Sequence, residues 1–145
     1  MRMSHQGLEL LIAREGKKNA VYRDSKGILT VGVGHTGPDV HEGDVWSDEK
    51  VETVLAADLA RFEKAINDAV KVPLLQNQFD ALVSWAFNVG ASAVAGSTLV
   101  RKINEGDLVE AANQFDRWHI PLEITSRRNG EREQFKGTAF EARIA

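Results

Sequence analysis

Two acidic residues and a threonine near the N-terminus are of types that could take part in hydrolysis of a glycosidic bond. Glu15 is followed by Asp24 nine residues later, and Thr30 comes six residues after Asp24. In this chemistry one carboxyl group protonates the leaving oxygen, while a second carboxylate handles water or acts as the nucleophile. Because the chain has 21 acidic residues among 145, two carboxylates taken alone are better explained as surface charges. The elements that carry these residues therefore decide the interpretation.

The local sequence predicts a helix that ends near the first acid and a hairpin that carries the second. Ser4 is a suitable N-cap for a helix over residues 4–14, and Gly16 can end it. Two β-prone segments flank residues 24–27, whose sequence Asp-Ser-Lys-Gly is a strong turn signal. Thr30 then lies on the second strand. Carboxylates presented by a helix end and a hairpin can face each other across a cleft, which two acids on one helix cannot easily do.

The remaining periodicity predicts helices through most of the chain. One long helix is predicted from Ser47 to about residue 70, because apolar residues recur at helical spacing and two acids occupy the first turn. Further helices are predicted between Pro73 and Gly90, and over residues of about 97–105, 107–118 and 125–136. The predicted fold class is α+β, mostly helical, with a small N-terminal antiparallel hairpin. We expect one domain with an N-terminal lobe over about 14–46, a linking helix over about 47–70, and a helical C-terminal lobe over about 71–145 packed with helix 4–14.

Composition excludes several classes of function. The chain has no cysteine, which rules out a disulfide scaffold, a zinc–thiolate site and a thiol nucleophile. Its histidines show no metal-binding spacing, and hydrolysis of a glycosidic bond by two carboxyl groups requires neither a metal nor a cofactor, so we predict neither. A net charge of −3 does not suggest a nucleic-acid partner. No apolar run is as long as a membrane span, and residues 1–7 lack the apolar core of a signal peptide. We therefore expect no membrane insertion, and synthesis into the cytoplasm.

The segment from Gly32 to Gly37 formally matches the glycine pattern of a dinucleotide-binding turn. Such a site requires a helix that opens directly after the glycines, within a βαβ unit. Pro38 and the loop-like residues after it argue against that helix. We therefore reject a nucleotide-binding function. His35, within the same segment, is interpreted as a residue that orients the hairpin by hydrogen bonding rather than as a catalytic base.

The two acids belong to a longer pattern of residues. Its members are Glu15, Gly16, Tyr22, Asp24, Gly27, Thr30, Gly32, Gly34, His35 and Thr36. This pattern resembles the signature of the phage-type (T4-like) lysozymes, glycoside hydrolase family 24. Residues 78–90, 97–104, 111–118 and 127–131 resemble later blocks of the same family, so the likeness extends over roughly residues 8–136. The chain departs from the family at residues 119–125, where a glycine-rich approach is usual.

The resemblance implies an activity and a set of site residues. It implies an endolysin muramidase that cuts peptidoglycan at the β-1,4 bond between N-acetylmuramic acid and N-acetylglucosamine. Glu15 is then the general acid, and Asp24 with Thr30 positions and activates water or otherwise stabilises the oxocarbenium-like transition state. The implied substrate-binding residues are His35, Thr36, Phe87, Asn88 and Arg128. By themselves Arg127 and Arg128 indicate a solvated face, whereas the family likeness implies that one of them reaches Glu15.

The resemblance also implies a route to the substrate. Peptidoglycan lies beyond the inner membrane, so release by a separate pore-forming holin is implied, without direct contact. We expect a monomer that is made in the host cytoplasm and acts on the periplasmic wall. The alternative is a catalytically idle lysozyme-like module that binds the wall or has a structural role; the presence of Glu15, Asp24 and Thr30 favours the enzyme. The preferred wall chemotype and the choice between inversion and retention stay open.

Overall fold

The computed structural model describes residues 1–118 and 125–137, which are mostly helical with one small sheet. In this part of the chain the helices are α1 (His5–Glu15), α2 (Asp48–Asp58), α3 (Ala60–Ala69), α4 (Gln76–Val89), α5 (Thr98–Asn104), α6 (Leu108–Gln114) and α7 (Thr125–Lys136), with short 3₁₀ helices at Ala91–Ala93 and Phe115–Trp118. The strands are β1 (Lys18–Arg23) and β2 (Leu29–Gly32). The predicted α+β class is confirmed.

The residue contacts divide the chain into two compact units. One unit spans Leu11–Ala60, and the other consists of Met1–Leu10 and the described residues from Arg61 onward. The first boundary falls inside α1 and the second falls just after the first residue of α3. The hairpin and its surroundings therefore form one unit, while most of the helices form the other.

The hairpin unit contains more strand pairing than the sequence predicts. β1 and β2 are antiparallel, with Tyr22 opposite Thr30. A further segment pairs with β1, because the Trp46 amide donates to the Asn19 carbonyl at 2.7 Å and the Val21 amide donates to the Asp44 carbonyl at 3.0 Å. The buried apolar residues of this unit include Val31, Val33, Val40, Trp46, Val51 and Leu55. They hold the second strand against α2.

One glycine of the hairpin is required by its backbone conformation. Gly32 has a φ of +68°, a conformation that side chains disfavour. A Cβ at this position would also lie 3.4 Å from the side chain of Val51 on α2. A larger residue at position 32 would therefore strain the backbone, whereas its Cβ would be in ordinary van der Waals contact with Val51.

The segment predicted as one long helix is two helices. α2 ends at Asp58 and α3 begins at Ala60. Leu59 between them has a φ of −71° and a ψ of −17°, within the right-handed helical region, and its amide donates to the Leu55 carbonyl at 2.9 Å, so the interruption is confined to one residue. The prediction of one continuous helix was therefore wrong. The sequence did not reveal the interruption, because no proline or glycine lies between Asp58 and Ala60. The apolar spacing runs through it, with Leu55, Leu59 and Phe62 all buried.

The helical unit follows the capping signals of the sequence. Ser4 accepts a hydrogen bond from the Gly7 amide at 3.1 Å, and Ser97 accepts one from the Val100 amide at 3.1 Å. Gly90 ends α4 with a φ of 99°. The core of this unit is α4, whose residues from Gln78 to Ala86 are all buried. α7 packs along α4, and it positions the charged residues described below.

Candidate active site

Glu15 is the last residue of α1, three residues before β1 begins. It is exposed, and Gly16 follows it with a φ of +75°. The Gly16 amide closes the helix by donating to the Ile12 carbonyl at 2.7 Å. This is a common way for a helix to end, because glycine adopts the left-handed conformation at little cost. The local sequence thus places a carboxylate at a helix end, as predicted.

Asp24 uses one carboxylate oxygen to build the hairpin turn. Its Oδ1 accepts hydrogen bonds from the Lys26 amide at 2.8 Å and from the Ile28 amide at 2.9 Å. The turn is completed by Gly27, whose φ is +79° and whose amide donates to the Asp24 carbonyl at 2.9 Å. Within residues 1–118 and 125–137 no hydrogen bond to Oδ2 of Asp24 is found. One oxygen of the half-buried carboxylate therefore holds the turn, and the other can accept a proton or bind water.

Thr30 is joined to Asp24 through the peptide groups of one residue, Ile28. The Thr30 hydroxyl donates to the Ile28 carbonyl at 2.9 Å, and the Asp24 amide donates to the same carbonyl at 3.0 Å. Thr30 itself is only 4% exposed. Because its proton is committed to Ile28, Oγ1 can act toward a further group only as an acceptor. The structure thus brings Asp24 and Thr30 together as two acceptors on one rigid hairpin.

His35 links the loop after β2 to α2. Its Nδ1 lies 2.7 Å from Oδ2 of Asp58, and its Nε2 lies 3.0 Å from the Asp39 carboxylate. The ring also packs against Trp46, with the ring centroids 5.6 Å apart. Burial alone lowers the pKa of His35, but the hydrogen bonds and charges of Asp58 and Asp39 outweigh it and the pKa is raised. Both nitrogens are engaged within the protein, which agrees with an orienting role.

The ion pairs of His35 with Asp58 and Asp39 predict that the stability of the protein depends on pH. A raised pKa means that charged His35 stabilises the folded state below its ordinary value of 6.5, and that this contribution disappears as the pH rises through the folded-state pKa. We expect His35→Asn to lower the free energy of unfolding by about 1 kcal/mol near pH 6, because solvent screens part of the interaction. Urea unfolding should show a smaller difference at about pH 9.

The exposed His41 supplies the control, since His41→Asn leaves the ion pairs of His35 intact. The hydrogen bond to His35 lowers the pKa of Asp39, so its contribution is lost only in more acidic solution. A difference between His35→Asn and the unchanged protein that did not shrink at high pH would contradict the ion-pair assignment.

The other residues implied for substrate binding lie in different places. Thr36 is exposed next to His35 in the hairpin unit. Phe87 and Asn88 belong to the helical unit, in the last turn of α4. Phe87 is half-buried and meets Phe62 edge to face, with the centroids 5.3 Å apart. Asn88 is exposed, and its Oδ1 accepts a hydrogen bond from Nη2 of Arg128. The substrate contacts of these residues stay predictions.

Arg127 and Arg128 are not on a solvated face, which corrects one interpretation of the sequence. The side chain of Arg127 is 9% exposed and that of Arg128 is 0% exposed. Nε of Arg128 donates to the Trp118 carbonyl at 3.0 Å, and its Nη1 donates to Glu131 at 2.7 Å. A fully buried guanidinium has no surface for a sugar, so this structure does not support the predicted direct contact of Arg128 with the substrate.

The physical reason for this burial is Glu131, a residue that the sequence analysis did not single out as a site residue. Its Oε2 accepts hydrogen bonds from Nε of Arg127 at 3.1 Å and from the Ser84 hydroxyl at 2.6 Å, while Oε1 is bound by Arg128. We refer to Glu131, Arg127, Arg128 and Ser84 as the Glu131 cluster. Its signal was present in the Arg-Arg-x-x-Glu spacing, which sets Glu131 one turn beyond both arginines. Buried charges persist when they are paired in this way.

Two further features concern only the described residues. Among them, no group of three or more histidine, cysteine, aspartate or glutamate residues could hold a metal ion. None of their helices is long and apolar enough to cross a membrane. The departure from the family at residues 119–125 falls, apart from Thr125, outside the described residues.

Comparison with known proteins gives a consistent result. A family model described as phage lysozyme matches residues 13–131. The endolysin of Salmonella phage P22 is 42% identical over 143 residues, covering 93% of this chain and 98% of that protein. A crystal structure of a P22 lysozyme mutant matches with a TM-score of 0.90 and 41% identity, over 94% of this chain and 99% of that one.

The endolysin of Bacillus phage B103 is 37% identical over 142 residues and 93% of this chain, which spans about half (54%) of that relative's length. Other relatives are named SAR-endolysin. This chain belongs to the phage lysozyme family.

Proposed function

We propose that this member of the phage lysozyme family is an endolysin muramidase. It hydrolyses the β-1,4 bond between N-acetylmuramic acid and N-acetylglucosamine in bacterial peptidoglycan, and so lyses the host cell. The observation that carries this proposal is the joint attachment of Asp24 and Thr30 to Ile28, which holds on one hairpin the two acceptors that we propose to bind the attacking water. Glu15, at the nearby end of α1 in the chain, supplies the third group of the family signature.

The hydrolysis divides the work between an acid and a water-binding pair. Glu15 gives its proton to the glycosidic oxygen as the bond to the anomeric carbon breaks. A water held by the Asp24 carboxylate and Oγ1 of Thr30 then forms the new bond to that carbon, and Asp24 takes the proton. In the other form of the mechanism, Asp24 stabilises the oxocarbenium-like transition state by its charge alone. Both forms use the oxygen of Asp24 that the turn leaves available.

An idle wall-binding module is the alternative function. Such a module would need a hairpin with the same fold. It would not need the Thr30 hydroxyl to donate to the Ile28 carbonyl, next to an Asp24 carboxylate with one oxygen that the turn does not use. The complete set of Glu15, Asp24 and Thr30 in their local elements therefore favours the enzyme. Clearing of a suspension of permeabilised Gram-negative cells by the purified protein tests the choice, because an idle module leaves the turbidity unchanged.

Substitutions of Thr30 test the water-binding pair. Thr30→Ser retains the hydroxyl but loses the restriction of a β-branched side chain, so we expect partial activity. Thr30→Val retains the shape and loses the acceptor, and we expect it to lose most of the activity, about tenfold or more. Initial rates of turbidity clearing measure both. Thr53→Val, an exposed position on α2, is the matched control. Full activity in Thr30→Val would remove the hydroxyl from the mechanism.

The route to the wall is a separate part of the proposal. We propose that the protein accumulates inside the host and reaches peptidoglycan after a holin opens the inner membrane, as the family likeness implies. The relatives named SAR-endolysin make a direct test of this route necessary. We expect expression alone to leave cells intact, with lytic activity in the soluble fraction. Chloroform or a co-expressed holin should then cause rapid lysis. Lysis on expression alone, with the protein in the periplasm, would overturn the holin-dependent route.

A further inference from the structure

The amide of Asn88 is held in one orientation by a group that can only donate. Nη2 of Arg128 donates to Oδ1 of Asn88, and a guanidinium has no acceptor atom. If the Asn88 amide were turned over, its NH₂ would face the N–H groups of Arg128, and two sets of donors would be opposed. Oδ1 must therefore face the buried arginine. Among residues 1–118 and 125–137 no acceptor is found for the two N–H donors of Asn88, which is exposed at the end of α4.

Arg128 is itself held by three hydrogen bonds. Its Nε donates to the Trp118 carbonyl, its Nη1 to Glu131 and its Nη2 to Asn88. The carboxylate of Glu131 is 0% exposed, and it binds Ser84 and Arg127 as well. A buried guanidinium with every bonded partner inside the protein cannot change its position without leaving a charge or a donor unsatisfied. Because Arg128 is fixed by the Glu131 cluster, its hydrogen bond to Oδ1 also fixes the orientation of the Asn88 side chain.

We propose that Glu131, acting through Arg128, is a positioning residue that makes Asn88 a donor-only contact for an acceptor oxygen of the glycan. The acceptors of this class on the substrate are the carbonyl oxygens of the N-acetyl groups and the ring and hydroxyl oxygens of the sugars. This inference rests on the proposed function, since it names the part that these residues play in binding the peptidoglycan glycan.

Substitutions at the exposed position 88 test the donor orientation without disturbing the core. Asn88→Asp retains an oxygen for Arg128 and removes both donors, and Asn88→Leu removes donors and acceptor together. Binding of a soluble peptidoglycan tetrasaccharide is measured by calorimetry in the Glu15→Gln background, so that the ligand is not consumed. We expect both variants to bind about three- to tenfold more weakly, as for the loss of one hydrogen bond. Asn113→Asp, an exposed residue on α6, is the matched control.

The opposite orientation of Asn88 gives a different result. If the amide oxygen faced the glycan, Asn88→Asp would retain binding and only Asn88→Leu would lose it, which would overturn the proposal. Repeating the titration at about 0.5 M salt screens repulsion between the new carboxylate and an anionic sugar. A loss with Asn88→Asp that disappears in high salt would be repulsion alone, and it would also overturn the proposal.

A double-mutant cycle separates positioning from a general structural role of Glu131. We expect Glu131→Gln to weaken glycan binding about threefold or more in the presence of Asn88, and to have no further effect in the Asn88→Leu background. Equal losses in both backgrounds would show that Glu131 acts only on the structure. The side-chain ¹⁵N resonance of Asn88 gives a second readout, since its NH₂ signals should shift when Glu131 loses its charge. If Glu131→Gln does not fold, the cycle is repeated with Glu131→Asp, which retains the charge on a shorter side chain, and equal losses in both backgrounds would overturn the proposal.

Failure of the inference can be told from failure of the proposed function. If the unsubstituted protein neither clears cell walls nor binds the tetrasaccharide in the Glu15→Gln form, the muramidase function itself is wrong, and the assigned contact is wrong with it. If the protein is active and binds the glycan while Asn88→Asp binds as well as the parent, only the inference is wrong.

Discussion

The Glu15→Gln variant is expected to lose wall-lytic activity by about 10²- to 10⁴-fold while it folds normally. Glutamine retains the size and shape of the side chain at the end of α1, but it cannot give a proton to the leaving glycosidic oxygen. Glu15 is exposed, and the end of α1 is closed by the Gly16 amide and not by the carboxylate, so α1 can end at the same residue in the variant. The initial rate of clearing of permeabilised cells measures the effect, and circular dichroism with urea unfolding checks the fold.

Glu52→Gln is the matched control for this experiment. Glu52 is exposed on α2 in the same unit, so the variant removes one surface charge and leaves the helix in place. We expect it to clear walls at the rate of the unsubstituted protein. If Glu15→Gln cleared walls as fast as Glu52→Gln, Glu15 would not be the acid, and the assignment of the three residues would have to be abandoned.

The Glu131→Ala variant is expected to have the largest effect on stability, a loss of about 3–5 kcal/mol in the free energy of unfolding. The carboxylate is fully buried and compensates two arginines, each almost or entirely buried. Its removal takes away the carboxylate that pairs with the buried guanidinium of Arg128 and with Nε of Arg127, and it breaks the hydrogen bond from the Ser84 hydroxyl. A loss of this size is a large part of the total stability of an ordinary domain. Urea unfolding at neutral pH measures it.

Glu133→Ala on the same helix supplies the comparison. Glu133 is 39% exposed at its side chain, and its ion pairs with Arg132 and Lys136 lie at the surface, where such pairs contribute little. We expect a loss within about 1 kcal/mol. Equal losses for Glu131→Ala and Glu133→Ala would mean that the Glu131 cluster does not stabilise the core, and the positioning of Asn88 would then lack its support.

The hairpin that carries Asp24 and Thr30 could be predicted from the sequence because its signals are local. The Asp-Ser-Lys-Gly turn needs an aspartate that accepts amides two and four residues later, and a glycine at positive φ; the structure contains both. The end of α1 at Glu15 follows in the same way from Gly16. Motifs of this kind depend on neighbours in the chain, so the residue types themselves determine them.

The partners of His35 and Arg128 were decided only by the tertiary structure. Asp58 lies 23 residues from His35, and Asn88 lies 40 residues from Arg128, so no local pattern links either pair. The surface position assumed for Arg127 and Arg128 was wrong for the same reason. A charged side chain is expected in water unless a buried counter-charge pairs with it. Glu131 is close in sequence, but its burial against α4 is not a local property.

The division between the two kinds of result has one physical cause. Turns, caps and helix ends are stabilised by hydrogen bonds between residues a few positions apart, so the sequence by itself determined where Glu15, Asp24 and Thr30 stand in their elements. Burial, ion pairing and the pairing of residues 44–46 with β1 depend on which distant segments meet. The interruption at Leu59 also depends on the tertiary structure. The apolar spacing there is that of an unbroken helix, and only the packed structure shows that α2 ends before Leu59.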